Sequence, residues 1–231
     1  MNERASNVLR VEGASIAYSR HQAVIREAHM CLDCGAIHLL IGRNGSGKST
    51  LLRAMAGLQP LKDGRVLVND QPIHRLSDKE RSAWVAYVAS TPPRTSQLRI
   101  GEVLELVAQD ASEAVALLAA FGEKKWWDRR LDTLSDGEAQ RVMFARALLQ
   151  NTPWVLMDEP TAFLDVPSKR MFWDHLAVAA ERGQSLVLAT HDYGYLASRG
   201  SVDSVHLIRK GALEVISADS APDDWTRLME S

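Results

Sequence analysis

Residues Gly42-Arg43-Asn44-Gly45-Ser46-Gly47-Lys48-Ser49-Thr50 constrain this chain more than any other stretch, because they fit G-x-x-x-x-G-K-[ST] between an apolar run and a helical pattern. Ile37, Leu39, Leu40 and Ile41 read as a buried strand, and Leu51, Leu52 and Met55, stopped at Gly57, read as a short helix. A strand that runs into a helix through such a turn is a phosphate-binding loop. Glycines at 42, 45 and 47 let the backbone curl until successive N–H groups converge at the positive end of the helix dipole, where a polyphosphate can sit. Asn44, Gly45, Gly47 and Thr50 are expected around that anion, with Lys48 reaching its β- and γ-phosphates and Ser49 ligating magnesium.

The rest of the composition narrows the partners. At 231 residues, 46% of them hydrophobic, the chain can fill a sizeable core. Its formal charge of -2, with acids and bases interspersed, gives no basic stripe, so nucleic acid is not expected as a ligand. The chain holds no apolar run of roughly eighteen residues and its start lacks the apolar segment of a secretory signal, which places the expected protein in the cytosol or peripherally on a membrane's cytosolic face. Cys31 and Cys34 stand in Cys-Leu-Asp-Cys without a second pair or nearby histidine, so a tetrahedral zinc site is not expected and the two read as reduced, half-buried thiols beside a strand.

Taken in order, residues 8–18 and 23–32 alternate as strands, predicting an antiparallel sheet ahead of the loop, with Tyr18 at a turn where a ring can offer a stacking face. Residues 65–70 read as a further strand, Ser77-Asp78-Lys79-Glu80 as a helix start, and Trp84–Val88 as a strand broken by the loop 90–96. From Ile100 to about Gln150 the spacing of Val103, Leu104, Val107, Ala114, Leu118 and Phe121 is helical, so this stretch reads as an insert. Its Trp126-Trp127 pair suits either a partner surface or packing within the insert. β/α alternation resumes with strands at 154–157 and 186–189, a helix around 169–182 and a final β pair near 205–208 and 213–216, giving a mostly parallel, helix-covered sheet.

Two further constellations carry chemistry. Trp154-Val155-Leu156-Met157-Asp158-Glu159 is an apolar strand ending in two carboxylates, where ligands of a parallel sheet collect. Asp158 is expected to hold magnesium through water or Ser49, and Glu159 to orient or deprotonate a water that attacks the γ-phosphate. Leu134-Ser135-Asp136-Gly137-Glu138-Ala139-Gln140-Arg141 opens a helix with Ser135 and Glu138 as a capping box, and its free N–H groups near Ser135 and Gly137 make a second anion site. Two such sites plus the acids suggest that two chains share each nucleotide.

Together these residues resemble the ATP-binding cassette ATPases over nearly the whole chain and in the expected order. Residues 42–50 match that family's phosphate loop, 134–141 its LSGGQ-type signature and 154–159 its magnesium strand and catalytic glutamate. Tyr18 matches its adenine-stacking aromatic, Asp165 its D-loop, and His191 in Ala189-Thr190-His191-Asp192 its switch histidine, a sensor of the γ-phosphate. The resemblance implies an α/β fold with a P-loop NTPase (RecA-like) core, an N-terminal antiparallel β subdomain and an inserted helical subdomain. The core is then 1–89 and 152–231, and the helical part about 90–151, all in one nucleotide-binding domain. It also implies ATP and Mg2+ as ligands, Glu159, His191 and Lys48 as catalytic residues, and a head-to-tail homodimer in which one chain's signature closes over the other's ATP.

This chain departs from the family pattern at two places. Ser90, in Tyr87-Val88-Ala89-Ser90, stands where the glutamine that couples magnesium to the transport partner is usual; its hydroxyl can ligate magnesium or water over a shorter reach, and Gln97 lies several residues on. Asp136 replaces a glycine of the signature, an acid that suits the helix start and repels a nearby phosphate. The segment Pro160–Pro167 looks like that of ATPases serving iron-siderophore, haem and cobalamin importers, implying a transmembrane permease as partner and a peripheral place on the cytoplasmic face of the cell membrane. A cassette ATPase of an assembly complex, such as that of iron–sulfur clusters, is the alternative.

Overall fold

The computed structural model describes residues 8–19, 22–93, 96–121, 124–191, 202–218 and 222–230. Alternating apolar residues make β1 (Leu9–Ser19) and β2 (Gln22–Leu32), which pair antiparallel, and the chain then turns inward on β3 (Ile37–Gly42), every residue of which is buried. The glycine-rich turn leads into α1 (Lys48–Met55), followed by β4 (Asp63–Val68) and β5 (Gln71–Pro72). α2 (Asp78–Trp84) starts on a capping box in which Ser77 and Glu80 satisfy each other's backbone N–H groups. Trp84 completes that helix rather than opening the next strand, so β6 is only Val85–Val88. The helix pattern wins there because the capped turn propagates one bond per residue up to the β-branched Val85.

Helices dominate the next stretch, α3 (Ile100–Glu105), α4 (Ala111–Ala120) and α5 (Asp136–Leu149). Strands return with β7 (Trp154–Asp158), α6 (Val166–Glu181), β8 (Ser185–Ala189), β9 (Ser204–Arg209), β10 (Ala212–Ile216) and a last helix α7 (Pro222–Glu230).

Among the described residues the strands form two sheets, ordered β2-β1-β4-β5 and β10-β9-β3-β8-β7-β6. The first is antiparallel, and the second is parallel except for its edge pair β9–β10. Register sets the site: Leu40 and Asp158 both pair with Ala189, so β3, β8 and β7 end level with one another. Their carboxyl ends carry the glycine-rich loop, His191 and the two acids, the edge at which parallel sheets bind ligands.

Both faces of the parallel sheet are covered, which explains its unbroken apolar strands. On one face Leu40, Trp154 and Leu156 pack with α1 and the antiparallel sheet through Leu51, Leu52, Leu9 and Ile16. On the other, Leu39, Ile41, Val155 and Met157 meet the helices through Ile100, Leu104, Phe144, Phe172 and Trp173. A run of rings ties α4, α5 and α6 together, with centroids 5.4 Å apart for Phe121–Phe144, 4.3 Å for Phe144–Phe172 and 4.8 Å for Phe172–Trp173. Each such pair contributes about 1 kcal/mol beyond its buried area.

The tryptophan pair resolves into packing. Trp126 is buried beneath the guanidinium groups of Arg129 and Arg141, and a Cβ at Gly101 would lie 2.5 Å from the ring of the half-buried Trp127. The cysteines differ from expectation: Cys31 and Cys34 are both free and exposed rather than half-buried. Met30 and Leu32 take the inward positions of β2, and the two-residue period turns Cys31 outward.

Candidate nucleotide-binding site

The loop is built by backbone conformations that side chains resist. Gly45 and Gly47 have φ of +78° and +108°, and a Cβ at Gly47 would come within 2.8 Å of Ile25 on β2. Above it lies a cavity of about 430 Å³ lined by Asn44, Gly45, Gly47, Lys48, Ser49 and Thr50, with Val24, Ser90 and Glu159 completing its wall. The expected phosphate contacts and Ser90 therefore share one cavity. Lys48 is buried and its Nζ donates to the carbonyls of Gly42 at 2.9 Å and Arg43 at 3.5 Å, which holds the ammonium back against the loop.

Asp158 is fully buried, and Ser49 Oγ donates to its Oδ1 at 2.9 Å. Its other oxygen, Oδ2, has no hydrogen-bond partner among the described residues. Burial raises the Asp158 carboxyl above the ordinary carboxylate range, with the Ser49 hydrogen bond pulling the other way. A buried carboxylate oxygen without a donor, beside a serine hydroxyl, is a donor set of hard oxygens that fits Mg2+.

Glu159 follows in a left-handed conformation, φ +45°, with its N–H donating to Ala189 O at 2.7 Å. From that conformation the carboxylate reaches two basic side chains. Lys48 Nζ lies 3.8 Å from Oε1, and His191 Nδ1 lies 2.9 Å from Oε2. The carboxylate can only accept, so Nδ1 is the protonated nitrogen of that ring. His191 is itself exposed at the end of β8, and with Gly42, Arg43, Asn44, Thr226 and Met229 it lines a second cavity of about 740 Å³. The approach of α7 to this side of the loop joins residues far apart in the chain, and neither stretch signals the other in the sequence.

Ser135, Gly137 and Asp165 lie elsewhere, and neither of these two cavities includes them in its wall. Ser135 caps α5, accepting from Glu138 N at 3.3 Å while Glu138 Oε2 accepts from Ser135 N at 2.7 Å. Gly137 is forced by contact: a Cβ there would sit 2.5 Å from Phe163 O. The start of α5 is thus pressed on the segment leading to Asp165, which caps α6 by accepting from Ser168 N at 3.0 Å. Hydrogen bonds from Ser168 hold the Asp165 carboxyl below its ordinary range. Tyr18 ends near the tip of β1, and its side chain lies outside the described residues.

Sequence reasoning missed one polar residue. Gln140 is 1% exposed, and its Nε2 donates to Ala89 O at 3.3 Å, next to Ser90. The signal was a glutamine inside an otherwise apolar stripe of α5.

Fold and site together define a nucleotide-binding cassette of the P-loop ATPase class. Residues 25–162 match the ABC transporter family, and the chain belongs to it. It is 30% identical over 232 residues to the iron(3+)-hydroxamate import ATP-binding protein FhuC of Bacillus subtilis, covering 92% of this chain and 86% of that protein. It is 31% identical over 224 residues to the zinc transport system ATP-binding protein TroB of Treponema pallidum, covering 91% and 82%. A putative ABC transporter ATP-binding protein of Bacillus thuringiensis subsp. konkukian is 31% identical over 220 residues, 92% of this chain, which spans only 40% of that longer protein. Among solved structures, the ATP-binding subunit of an ABC transporter superposes with a TM-score of 0.85 at 24% identity, over 97% of this chain and 100% of that one. An ATP-binding cassette dimer in a post-hydrolysis state with ADP and Pi gives 0.81 at 22% identity, over 92% and 99%.

Proposed function

We propose that this chain hydrolyses ATP as the energy-supplying subunit of a membrane importer, with two cassettes closing on ATP and reopening after hydrolysis. The observation that carries the reading is the convergence on Glu159 of Lys48 at 3.8 Å and His191 at 2.9 Å, beside the buried Ser49–Asp158 pair. Lys48 and the loop N–H groups bind the phosphates, and Ser49 and Asp158, with Ser90 on the same wall, would hold a magnesium ion, which would supply charge neutralisation for the phosphates. Glu159 aligns a water on the γ-phosphate and takes its proton, while His191 fixes the carboxylate's rotamer from the exposed side. Tyr18 supplies the stacking face for the base.

In this reading residues 1–89 and 152–231 are the nucleotide-binding core, and about 90–151 is the helical insert that carries the signature. Ser135, Gly137 and Asp165 act on the nucleotide of a second cassette, a reading supported by their lining none of the three cavities that border their own loop. Named relatives serving iron-hydroxamate and zinc support a metal-bearing cargo, for which we favour iron-siderophore, haem or cobalamin-type substrates. None of the described helices is long and apolar enough to cross a membrane. In this reading a permease supplies the span, and this chain joins it peripherally on the cytoplasmic face. A groove of about 320 Å³ between Ala89, Thr91, Pro92 and α5's Met143 and Arg146 adjoins Ser90 and suits that contact.

Glu159→Gln tests the assignment. Hydrolysis is expected to slow about 100-fold or more, the usual worth of a positioned base. ATP should still drive a dimer visible by light scattering. Undiminished steady-state turnover would rule out Glu159 as the base.

A further inference from the structure

The geometry assigns Gln140 as a positioning residue that fastens the signature helix to Ser90 and so sets the placement of that hydroxyl in the nucleotide cavity. Gln140 is the buried polar residue of α5, and its amide donates to the carbonyl of Ala89, the residue immediately before Ser90. The orientation of the amide follows from chemistry: a carbonyl accepts only, so Nε2 must face it. Oε1 is then left buried without a partner among the described residues. An unpartnered buried amide oxygen is destabilising, and an apolar residue of the same shape would avoid that cost. A glutamine there therefore needs a return other than stability.

That return is geometric. One more donor at the C-cap of that helix, Gln150 Nε2, holds Ser82 O at 2.7 Å ahead of β6, and Met143 and Arg146 line the groove between the two anchors beside Ala89. α5 thus lies along β6 and the loop after it as a strapped lever. Ser135 caps its first turn, and Gln140 ties its second turn to the residue before Ser90. Ser90 itself lines the same cavity as Lys48, Ser49 and Glu159. With only a serine's reach at this position, its distance from the phosphates depends on where the Ala89 backbone is held. Any movement of Ser135 on meeting a nucleotide is transmitted through Gln140 to Ser90. This inference rests on the ATPase reading above.

The test is a double-mutant cycle on ATP hydrolysis with Gln140→Met and Ser90→Ala, since methionine keeps the volume and removes the donor. Gln140→Met is expected to lower kcat about five- to tenfold, the scale of one hydrogen bond expressed at the barrier, with KM within about twofold. The double variant should then equal Ser90→Ala alone, because a residue that acts through Ser90 has nothing left to position. Multiplied losses in the double variant, or a Gln140→Met enzyme with unchanged kcat, overturn the proposal. Gln140→Glu, which sets an oxygen against the Ala89 carbonyl, gives the same cycle should Gln140→Met not fold. Slow hydrolysis in Glu159→Gln combined with a multiplicative cycle strikes only the tether. Undiminished hydrolysis in Glu159→Gln strikes the tether and the site together.

Discussion

Gly137 shows how a single missing side chain joins two functional segments. A Cβ there would meet a backbone carbonyl, Phe163 O, at 2.5 Å, and a carbonyl cannot swing aside as a side-chain tip can. Gly137→Ala must therefore lift the start of α5 off the segment that leads to Asp165. Overpacking of this kind costs about 1–3 kcal/mol, so the urea midpoint should fall measurably. The larger expected effect is on ATP-driven pairing in a Glu159→Gln background, because Ser135 and Asp165 lose their shared placement. A variant that dimerises with unchanged ATP dependence would show that this contact serves packing alone. Asp136, which replaces a glycine of the signature, sits in the first turn of α5, where its charge complements the helix dipole.

At the scale of elements, local chemistry was legible where it is written into neighbouring residues. The loop followed from glycines and a lysine, α1 from Leu51, Leu52 and Met55 ahead of Gly57, α2 from a polar helix start, α5 from a capping box, and β7 from an apolar run ending in acids. What escaped was set by contacts distant in sequence. The Gln140–Ala89 bond spans 51 residues, and nothing near either partner announces the other. The same holds for α7. Its Trp225 is fully buried and donates to Ser217 O at 3.3 Å, which brings Thr226 and Met229 to the cavity shared with Asn44 and His191. Trp225→Ala should cost about 3–5 kcal/mol, read as a lowered denaturant midpoint, because it empties a closed site in the core under the helices. A midpoint within error of the parent would mean that α7 is not docked in solution.

The whole molecule holds a buried polar cluster away from the nucleotide, and it ties stability to pH. His38 on β3 and His206 on β9 are both buried, and Ser204 Oγ stands 2.8 Å from His38 Nδ1 and 2.9 Å from His206 Nε2. His38 Nε2 also meets Asp33 O at 2.9 Å, and its ring stacks on Trp154. Burial pushes His206 down to about 4, with the neighbouring His38 adding to the effect, and burial lowers His38 as well against the opposing hydrogen bond to Asp33 and the charges of Asp203 and Asp33. Both are neutral in the folded protein where an unfolded histidine would begin to take a proton. The unfolded state therefore binds more protons between the ordinary 6.5 and about 4, and stability falls as pH drops through that window. His206 alone accounts for about 3 kcal/mol of that fall across the window. Urea unfolding at pH 7 and pH 5 should show the midpoint dropping in the parent and dropping less in His206→Gln, which keeps a polar group beside Ser204 and cannot titrate. Equal slopes in the two proteins would place the pH dependence on other groups, His38 first among them, because it shares the same serine and would then carry the proton uptake by itself.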